Sequence, residues 1–416
     1  MIEKALFRLP VLLAAATLCQ LVLVWLATSR YGQGTPMGDL LFAYKPWADN
    51  VLKYGQLLGI ASPWVYPFPA LVPIVGASIL SPINYELGWL VLRLLVTLAV
   101  TTMLVLYRRD AQAPSRRARY LAGYAWVGFT FALGPVSISR IDSWSVALAV
   151  LGALALTLQS QRFAAATFTF AAWIKIWPVA LFAPLLFDRN KIWSTLRIGA
   201  GVSALFLIVG LLLGGNASLL SFVSGQTDRG IQIESPAAMP WVWAGALGAS
   251  DAGITYNGPL MTFEVFGANT DWLAWWLGPV QLGAIAITFV LGWLATRRGV
   301  ARASEVISWT ALTGTCDLIF FNKVGSPQFI SWLAVPIILG VLYGVERWRL
   351  ASCLVLALSL ATWLVYPVLY DDLVWGGWAG TAVLTLRNLL ELALLVYANV
   401  RLTALANQKT AVGTAS

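Results

Sequence analysis

The chain has 416 residues, of which 59% are hydrophobic and 11% are charged. A soluble protein carries about 25% charged residues, so this composition excludes an ordinary soluble domain and indicates a polytopic membrane protein. With no histidine, three isolated cysteines and no glycine-rich nucleotide-binding motif, the sequence favours neither a zinc or iron centre nor nucleotide hydrolysis.

Twelve apolar runs are long enough, or nearly so, to cross a bilayer, which takes roughly 20 helical residues. The predicted spans lie near 5–28, 86–107, 120–134, 143–160, 163–174, 176–187, 193–214, 272–296, 303–321, 327–345, 350–368 and 378–402. We therefore predict an all-α polytopic membrane protein that forms a single domain over 1–416. Two long loops are expected on one side of the membrane, at 30–85 and 215–271.

Two segments need a separate interpretation. The apolar segment 64–80 is short and rich in proline, which favours a juxtamembrane or re-entrant helix over a span. The run 163–187 is long enough for one span, but Lys175 and Pro178 lie in its middle, so we predict a break at 174–178 between two helices.

The charge pattern supports this topology. With the N-terminus inside, the predicted cytoplasmic segments contain 18 of the 27 basic residues and five of the 18 acidic residues. Arginine and lysine accumulate in cytoplasmic loops, so we expect both termini in the cytoplasm of a plasma-membrane protein. The net charge of +9 then reflects membrane topology rather than nucleic-acid binding.

Asp39 is the first candidate for catalysis. It lies about ten residues past the first predicted span and opens a polar outer loop of roughly 35 residues. In a chain without histidine, a carboxylate there is a natural general base. The alternative is a helix N-cap, a common role for aspartate.

Other polar residues gather in the loops on the same predicted side. Arg140 and Asp142 follow the third span, and they could serve a site, pair with neighbours or lie among the lipid headgroups. Lys175, at the predicted break, could bind an anion, extend to the headgroups, or pair with an acid such as Asp142.

Two further outer loops add charged residues. Arg229 and Glu234 lie in the long loop, where the alternative is an ordinary surface pair. Lys323 precedes Gly325-Ser326-Pro327, a predicted helix start. A lysine beside a helix N-terminus is suited to a phosphate.

Together these residues resemble the C-type membrane glycosyltransferases that use polyprenyl-phosphate sugars. The closest resemblance is to the actinobacterial family 87, which includes the phosphatidylinositol-mannoside α-1,2-mannosyltransferase. It rests on Asp39 with Tyr44 and Trp47, Trp64-Val65-Tyr66-Pro67, Ile174-Lys175 with Pro178, Arg229-Gly230-Ile231-Gln232-Ile233-Glu234-Ser235, and Ser326-Pro327-Gln328-Phe329.

The resemblance implies a C-type fold with about 12 transmembrane helices and an inverting transfer at the outer face. It implies a polyprenyl-phosphate sugar donor, a glycolipid or glycan acceptor, contact with membrane lipids, and no metal or other cofactor. Asp39 would be the base, and Lys175, Arg229 and Lys323 would hold the donor phosphate. The implied substrate-binding residues are Tyr44, Trp47, Tyr66, Arg140, Asp142, Gln232, Glu234, Ser326 and Gln328.

Two motifs depart from the family pattern. Tyr66-Pro67-Phe68-Pro69 stands where the family often has Tyr-Pro-Pro, and Ser139-Arg140-Ile141-Asp142 stands where it often has Gly-Gln-x-Asn. The second departure falls near the expected site and leaves the acceptor or the sugar open. The resemblance itself allows a mannose or an arabinofuranose donor. A lipid-linked sugar flippase is the alternative from another class, although we find no internal repeat of the kind many transporters show.

Overall fold

The structure is a computed structural model that describes residues 6–29, 35–107, 113–224 and 229–408. Some charges used for the topology, Glu3, Lys4, Arg108, Arg109, Asp110 and Lys409, lie outside these ranges. The described residues form fourteen α-helices of eight or more residues and one β-hairpin. They are α1 (Leu9–Thr28), α2 (Lys45–Tyr54), α3 (Leu71–Leu80), α4 (Tyr85–Leu106), α5 (Arg116–Ala132), α6 (Asp142–Thr157), α7 (Gln161–Ala172), α8 (Ile192–Leu212), α9 (Met239–Ala246), β1 (Gly253–Asn257), β2 (Thr262–Phe266), α10 (Thr270–Arg298), α11 (Ala303–Phe320), α12 (Ala334–Tyr343), α13 (Trp348–Trp363) and α14 (Trp378–Ala406).

The predicted fold class is confirmed: the protein is an all-α polytopic membrane protein. Among the described residues, six helices are long and apolar enough to cross a membrane: α1, α4, α8, α10, α14, and α13 with its continuation to Val368. The other predicted spans also coincide with helical segments. Two of them begin or end as tighter 3-10 turns, at Ala183–Phe187 and Pro327–Leu333, where proline removes a backbone donor.

The break predicted inside 163–187 is present. Helix α7 ends at Ala172, and a short helix starts again at Val179. The intervening turn is held by the Lys175 N–H, which donates to the Ala171 carbonyl. Proline at 178 cannot continue the hydrogen-bonding pattern of α7, so the chain turns and places Lys175 between two helices.

The first long loop is more helical than the sequence suggests. A π-helical turn, Leu40–Tyr44, runs directly into α2, and a 3-10 turn, Phe68–Ala70, leads into α3. Asp39 itself has helical backbone angles and its side chain makes no capping hydrogen bond, so the N-cap interpretation is wrong. Helix α3 is too short to span. It packs against α4, and a Cβ at Gly88 would lie 2.1 Å from the Ala77 carbonyl oxygen.

The second long loop contains α9 and the hairpin, neither of which we predicted. Strands β1 and β2 are antiparallel, with Gly253 opposite Phe266 and Asn257 opposite Thr262. Gln232 makes a further bridge to Glu264, on β2. The hairpin thereby fixes the chain that follows Arg229 to a small folded unit rather than leaving it as a free loop.

The connections that carry the candidate residues contact one another at one end of the helix bundle. The connections rich in basic residues contact one another separately, as in the ion pairs of Arg302 with Glu305 and Glu346. The buried core between the two ends is built mainly from α4–α7 and α11–α14, with a few residues of α1 and α10. We call the end that carries the candidate residues the site end.

Candidate active site

A large cavity of about 710 Å³ opens at the site end. Three cationic side chains line it, and they come from segments far apart in the chain: Lys175 from the break after α7, Arg229 from the second long loop, and Lys323 from the turn after α11. Aromatic and aliphatic side chains make up most of the remaining wall, including Tyr66, Trp177, Phe222, Trp275, Phe329 and Trp332. A cavity with three cations and an apolar wall suits an anionic lipid.

Lys175 is paired with an acid in this cavity. Its ammonium lies 2.7 Å from a carboxylate oxygen of Asp142, which is 1% exposed, and Trp332 donates to the other oxygen at 2.8 Å. The rings of Tyr66, Phe329 and Trp332 surround the ammonium at 5.0–5.9 Å. The alternative of a pair with Asp142 is therefore realised, while the lysine still faces the cavity. An ammonium has three donors, so Asp142 leaves hydrogen-bonding capacity for a ligand.

Asp39 is paired with Arg140, and neither residue is part of the cavity wall. The buried guanidinium of Arg140 forms an ion pair with Oδ1 of Asp39 and lies 3.2 Å from the Tyr366 hydroxyl oxygen. Tyr366 in turn donates to the Thr35 carbonyl at 2.9 Å. The Asp39 side chain is 41% exposed, so one carboxylate oxygen is oriented by arginine while the carboxylate remains accessible.

Aromatic residues connect Asp39 with the cavity. Tyr44 is buried, and its hydroxyl accepts a hydrogen bond from the Ile141 N–H. Trp47, Trp64 and Tyr66 form a cluster with ring centroids 5.3–6.1 Å apart. Burial, with the carboxylates of Asp39 and Asp142 nearby, raises the pKa of the Tyr66 hydroxyl. Tyr66 therefore stays a neutral hydrogen-bonding group between the two ion pairs.

The second long loop and the turn after α11 cross each other. The Gln232 N–H donates to the Lys323 carbonyl at 2.9 Å, and the Ser326 hydroxyl donates to the Gln232 side chain at 3.2 Å. Ser326 and Gln328 line the cavity next to Lys323. The structure thus brings Gln232, Ser326 and Gln328 to the same site as the cations.

Glu234 is buried in this crossing. Its carboxylate accepts a hydrogen bond from the Tyr370 hydroxyl at 3.1 Å, and burial raises its pKa to about 7. Within the described residues it forms no ion pair with Arg229, so the interpretation of a solvated surface pair is wrong. Tyr370 packs edge-on against Tyr366 at 4.7 Å, which links Glu234 to the Asp39–Arg140 pair.

Sequence reasoning missed four contributors to the site. Trp332, Tyr366, Tyr370 and Arg387 each bond to a candidate residue. Only Arg387 had a usable signal, since it is a charge in the middle of a predicted span. The aromatic residues resemble the many others near helix ends. In the described ranges we find no group of three or more acidic, histidine or cysteine side chains that could hold a metal.

Comparison with known proteins identifies the family of the chain. The family model of glycosyltransferase family 87 matches residues 64–315. That stretch includes Lys175, Arg229 and Glu234, whereas Asp39 and Lys323 lie outside it. No curated protein and no solved structure matches the chain. Because the matched stretch covers more than half of the chain, the protein belongs to glycosyltransferase family 87.

Proposed function

We propose that this membrane glycosyltransferase transfers a sugar, mannose, from a polyprenyl-phosphate donor to a glycolipid or glycan acceptor, with inversion at the anomeric carbon. One observation carries the proposal. Lys175, Arg229 and Lys323, distant in sequence, line a single cavity whose other walls are largely apolar. A donor with a phosphate monoanion, a sugar and an isoprenoid chain needs both kinds of wall.

The cations have a role in the chemistry as well as in binding. When the C1–oxygen bond of the donor breaks, the electron pair and the developing charge move to the lipid phosphate. Preorganised positive groups stabilise that charge without rearranging during the reaction. The pair with Asp142 and the surrounding rings hold the Lys175 ammonium in place before donor arrives.

Asp39 is the proposed base. The acceptor hydroxyl forms the new bond to C1, and its proton passes to the Asp39 carboxylate. Arg140 occupies Oδ1, so we assign Oδ2 to the acceptor hydroxyl. A general base must lie within about 3 Å of the hydroxyl whose proton it accepts. The guanidinium restricts rotation of the Asp39 carboxylate and so keeps this distance constant.

The apolar wall of the cavity provides a place for the lipid chain. Helix α10 contributes Ala274, Trp275, Gly278 and Pro279 to this wall, and Phe222 also lines the cavity. Trp275 is also exposed on the bundle surface, near the start of a helix that is long and apolar enough to cross a membrane. A donor chain can therefore extend from the cations into lipid without crossing water.

The charge distribution favours the outer face as the location. The predicted loops opposite the site end contain most of the basic residues, as expected of cytoplasmic loops. We therefore propose a plasma-membrane enzyme with cytoplasmic termini and an outward-facing site.

A donor panel tests the proposal. The purified full-length protein in lipid vesicles is offered radiolabelled polyprenyl-phosphate mannose, arabinofuranose and glucose with a glycolipid acceptor extract, and labelled product is measured. We expect mannose to be transferred. Transfer of arabinofuranose alone would show that the donor sugar is arabinofuranose and not mannose. Movement of donor across the bilayer without labelled product would show that the protein is a lipid flippase and not a transferase.

A further inference from the structure

Helix α14 buries two opposite charges one turn apart. Arg387 is 1% exposed, and its guanidinium lies 3.2 Å from the carboxylate of Glu391. A charge inside a membrane span is expensive, and a buried ion pair gives little net stability compared with apolar packing. Such a pair therefore calls for a reason other than folding stability.

The guanidinium contacts two loops of the site. Its Nη1 donates to the Glu234 carbonyl at 2.9 Å, and its Nη2 donates to the Gly325 carbonyl at 3.3 Å. Glu234 lies five residues after Arg229, and Gly325 lies two residues after Lys323. One side chain thus joins the two segments that bring these cations to the cavity.

The two segments also touch backbone to backbone. Gly325 has φ +56°, and a Cβ at this position would lie 2.3 Å from the Ser235 nitrogen. The Ser235 hydroxyl donates to the Asn322 carbonyl at 2.8 Å. Because the crossing is this close, a small displacement of either carbonyl on Arg387 would displace the other segment as well.

We propose that Arg387 is a positioning residue, which sets the separation of Arg229 and Lys323 for the donor phosphate, while Glu391 balances its charge. This inference rests on the proposed donor. Arginine suits the task because its planar fork donates in two fixed directions, whereas lysine is a flexible point charge. Arg387→Lys keeps the charge beside Glu391 but loses the fixed fork.

Two measurements on the full-length protein in detergent test the role. Binding of polyprenyl monophosphate is followed by tryptophan fluorescence, since Trp177, Trp275 and Trp332 line the cavity, and sugar transfer gives KM for each substrate. A slight misplacement of binding groups can reduce a rate by up to about a hundredfold. We expect Arg387→Lys to weaken lipid-phosphate binding and raise the donor KM by about tenfold, with the acceptor KM unchanged.

Arg119→Lys is the matched control. Arg119 is also buried and donates to a backbone carbonyl, that of Val105, but at the opposite end of the bundle. The Arg119→Lys variant should bind polyprenyl monophosphate as tightly as the wild-type protein. If Arg387→Lys binds the lipid phosphate as tightly as wild type, or raises both KM values equally, the positioning role is wrong.

A double mutant separates positioning from general damage. If Arg387 acts through the cations, the double variant Arg387→Lys, Lys323→Ala should lose less binding free energy for polyprenyl monophosphate than the sum of the losses in the two single variants. Fully additive losses would overturn the inference. Should Arg387→Lys fail to fold, the paired variant Arg387→Gln, Glu391→Gln removes both charges together, and normal lipid-phosphate binding by that variant would contradict the role.

The outcomes for the proposed donor are distinct. A wild-type protein that does not bind polyprenyl monophosphate refutes the donor and the inference with it. A wild-type protein that binds the lipid phosphate but transfers no sugar refutes the transfer, and the Arg387 variants still decide the positioning role by binding alone.

Discussion

At the level of single residues, the accessible carboxylate of Asp39 decides whether the proposed mechanism holds. Asp39→Asn keeps the shape of the side chain but removes the proton acceptor. General acid–base groups contribute about 10²–10⁴-fold to rate. We therefore expect transfer with the same donor and acceptor to fall by about that factor. Thermal stability should also fall, because the buried Arg140 guanidinium loses its charged partner, so transfer is measured well below the unfolding temperature.

Asp49→Asn provides the comparison for this variant. Asp49 lies on α2 in the same loop, and it pairs with Lys45 and Lys53 at a solvent-accessible position. Exposed pairs contribute about 0–1 kcal/mol, so its loss should change neither activity nor stability appreciably. Retention of most turnover in Asp39→Asn would assign the base to another carboxylate, with Glu234 the next to test.

Lys175 combines a structural and a functional contact, and mutation can separate them. Lys175→Ala removes the partner of buried Asp142, and breaking a buried pair on one side costs about 3–5 kcal/mol. It should also remove donor binding. We expect the double variant Lys175→Ala, Asp142→Asn to recover stability, because no charge is left unpaired, but not donor binding.

Thermal unfolding in detergent and binding of polyprenyl monophosphate, measured on both variants, distinguish the two contacts. Recovery of donor binding together with stability in the double variant would make Lys175 purely structural. Lys175→Arg should restore donor binding only in part, because a planar guanidinium does not replace a compact ammonium among three rings.

At the level of helices and strands, the local pattern of apolar residues, lysine and proline was enough to predict most helix boundaries. Long apolar runs predict α4, α8 and α10 directly, and a lysine and a proline inside one run predict the break after α7. The β-hairpin was not predictable in this way. Its strands are five residues each and lie in a polar loop, and their anchoring depends on Gln232, which is distant in sequence.

The site was predictable as a gathering of charges, and the Lys175–Asp142 pair was one of the alternatives, but the other pairs were not predictable. Loops on one side of a bundle must be near one another, so the convergence of Lys175, Arg229 and Lys323 on one cavity follows from helix alternation. The pairing of Asp39 with Arg140 depends on the rotation of separate helices, which hydropathy does not report. Arg387 is a charge within a predicted span, but it lies outside the loops from which the candidate residues were chosen.

Helix α10 carries the prediction for the lipid chain. Gly278 lines the cavity, and nothing lies within 4 Å of where its Cβ would be. Gly278→Phe should narrow the cavity beside this wall without destabilising the helix, because glycine is itself unfavourable in a helix interior. We expect use of a long polyprenyl donor to fall on the order of tenfold, as for loss of apolar contacts in a pocket, while a short-chain donor is used normally.

Gly283→Phe is the control on the same helix. Gly283 also has open space around its Cβ position, but it is not part of the cavity wall. The ratio of kcat/KM for long and short donors should match wild type in this variant. Equal loss for both donors in Gly278→Phe would mean that the chain lies elsewhere.

At the level of the whole molecule, the two ends of the bundle differ in charge. The segments predicted to be cytoplasmic contain 18 of the 27 basic residues but five of the 18 acidic residues, so acids outnumber bases in the rest of the chain. An anionic lipid donor at the site end is therefore not attracted by a general positive field. Its recognition depends on the few cations that the fold brings into the cavity.

The same asymmetry predicts which end faces outward, and cysteine labelling can test it. In a background with Cys19, Cys316 and Cys353 replaced by alanine, Lys53→Cys reports on the site end and Arg349→Cys on the basic end; both positions are exposed. Because basic loops stay in the cytoplasm, a membrane-impermeant maleimide should label Lys53→Cys in intact cells and Arg349→Cys only after the membrane is opened. The reverse pattern would place the cavity inside, where a cytoplasmic donor pool would have to supply it.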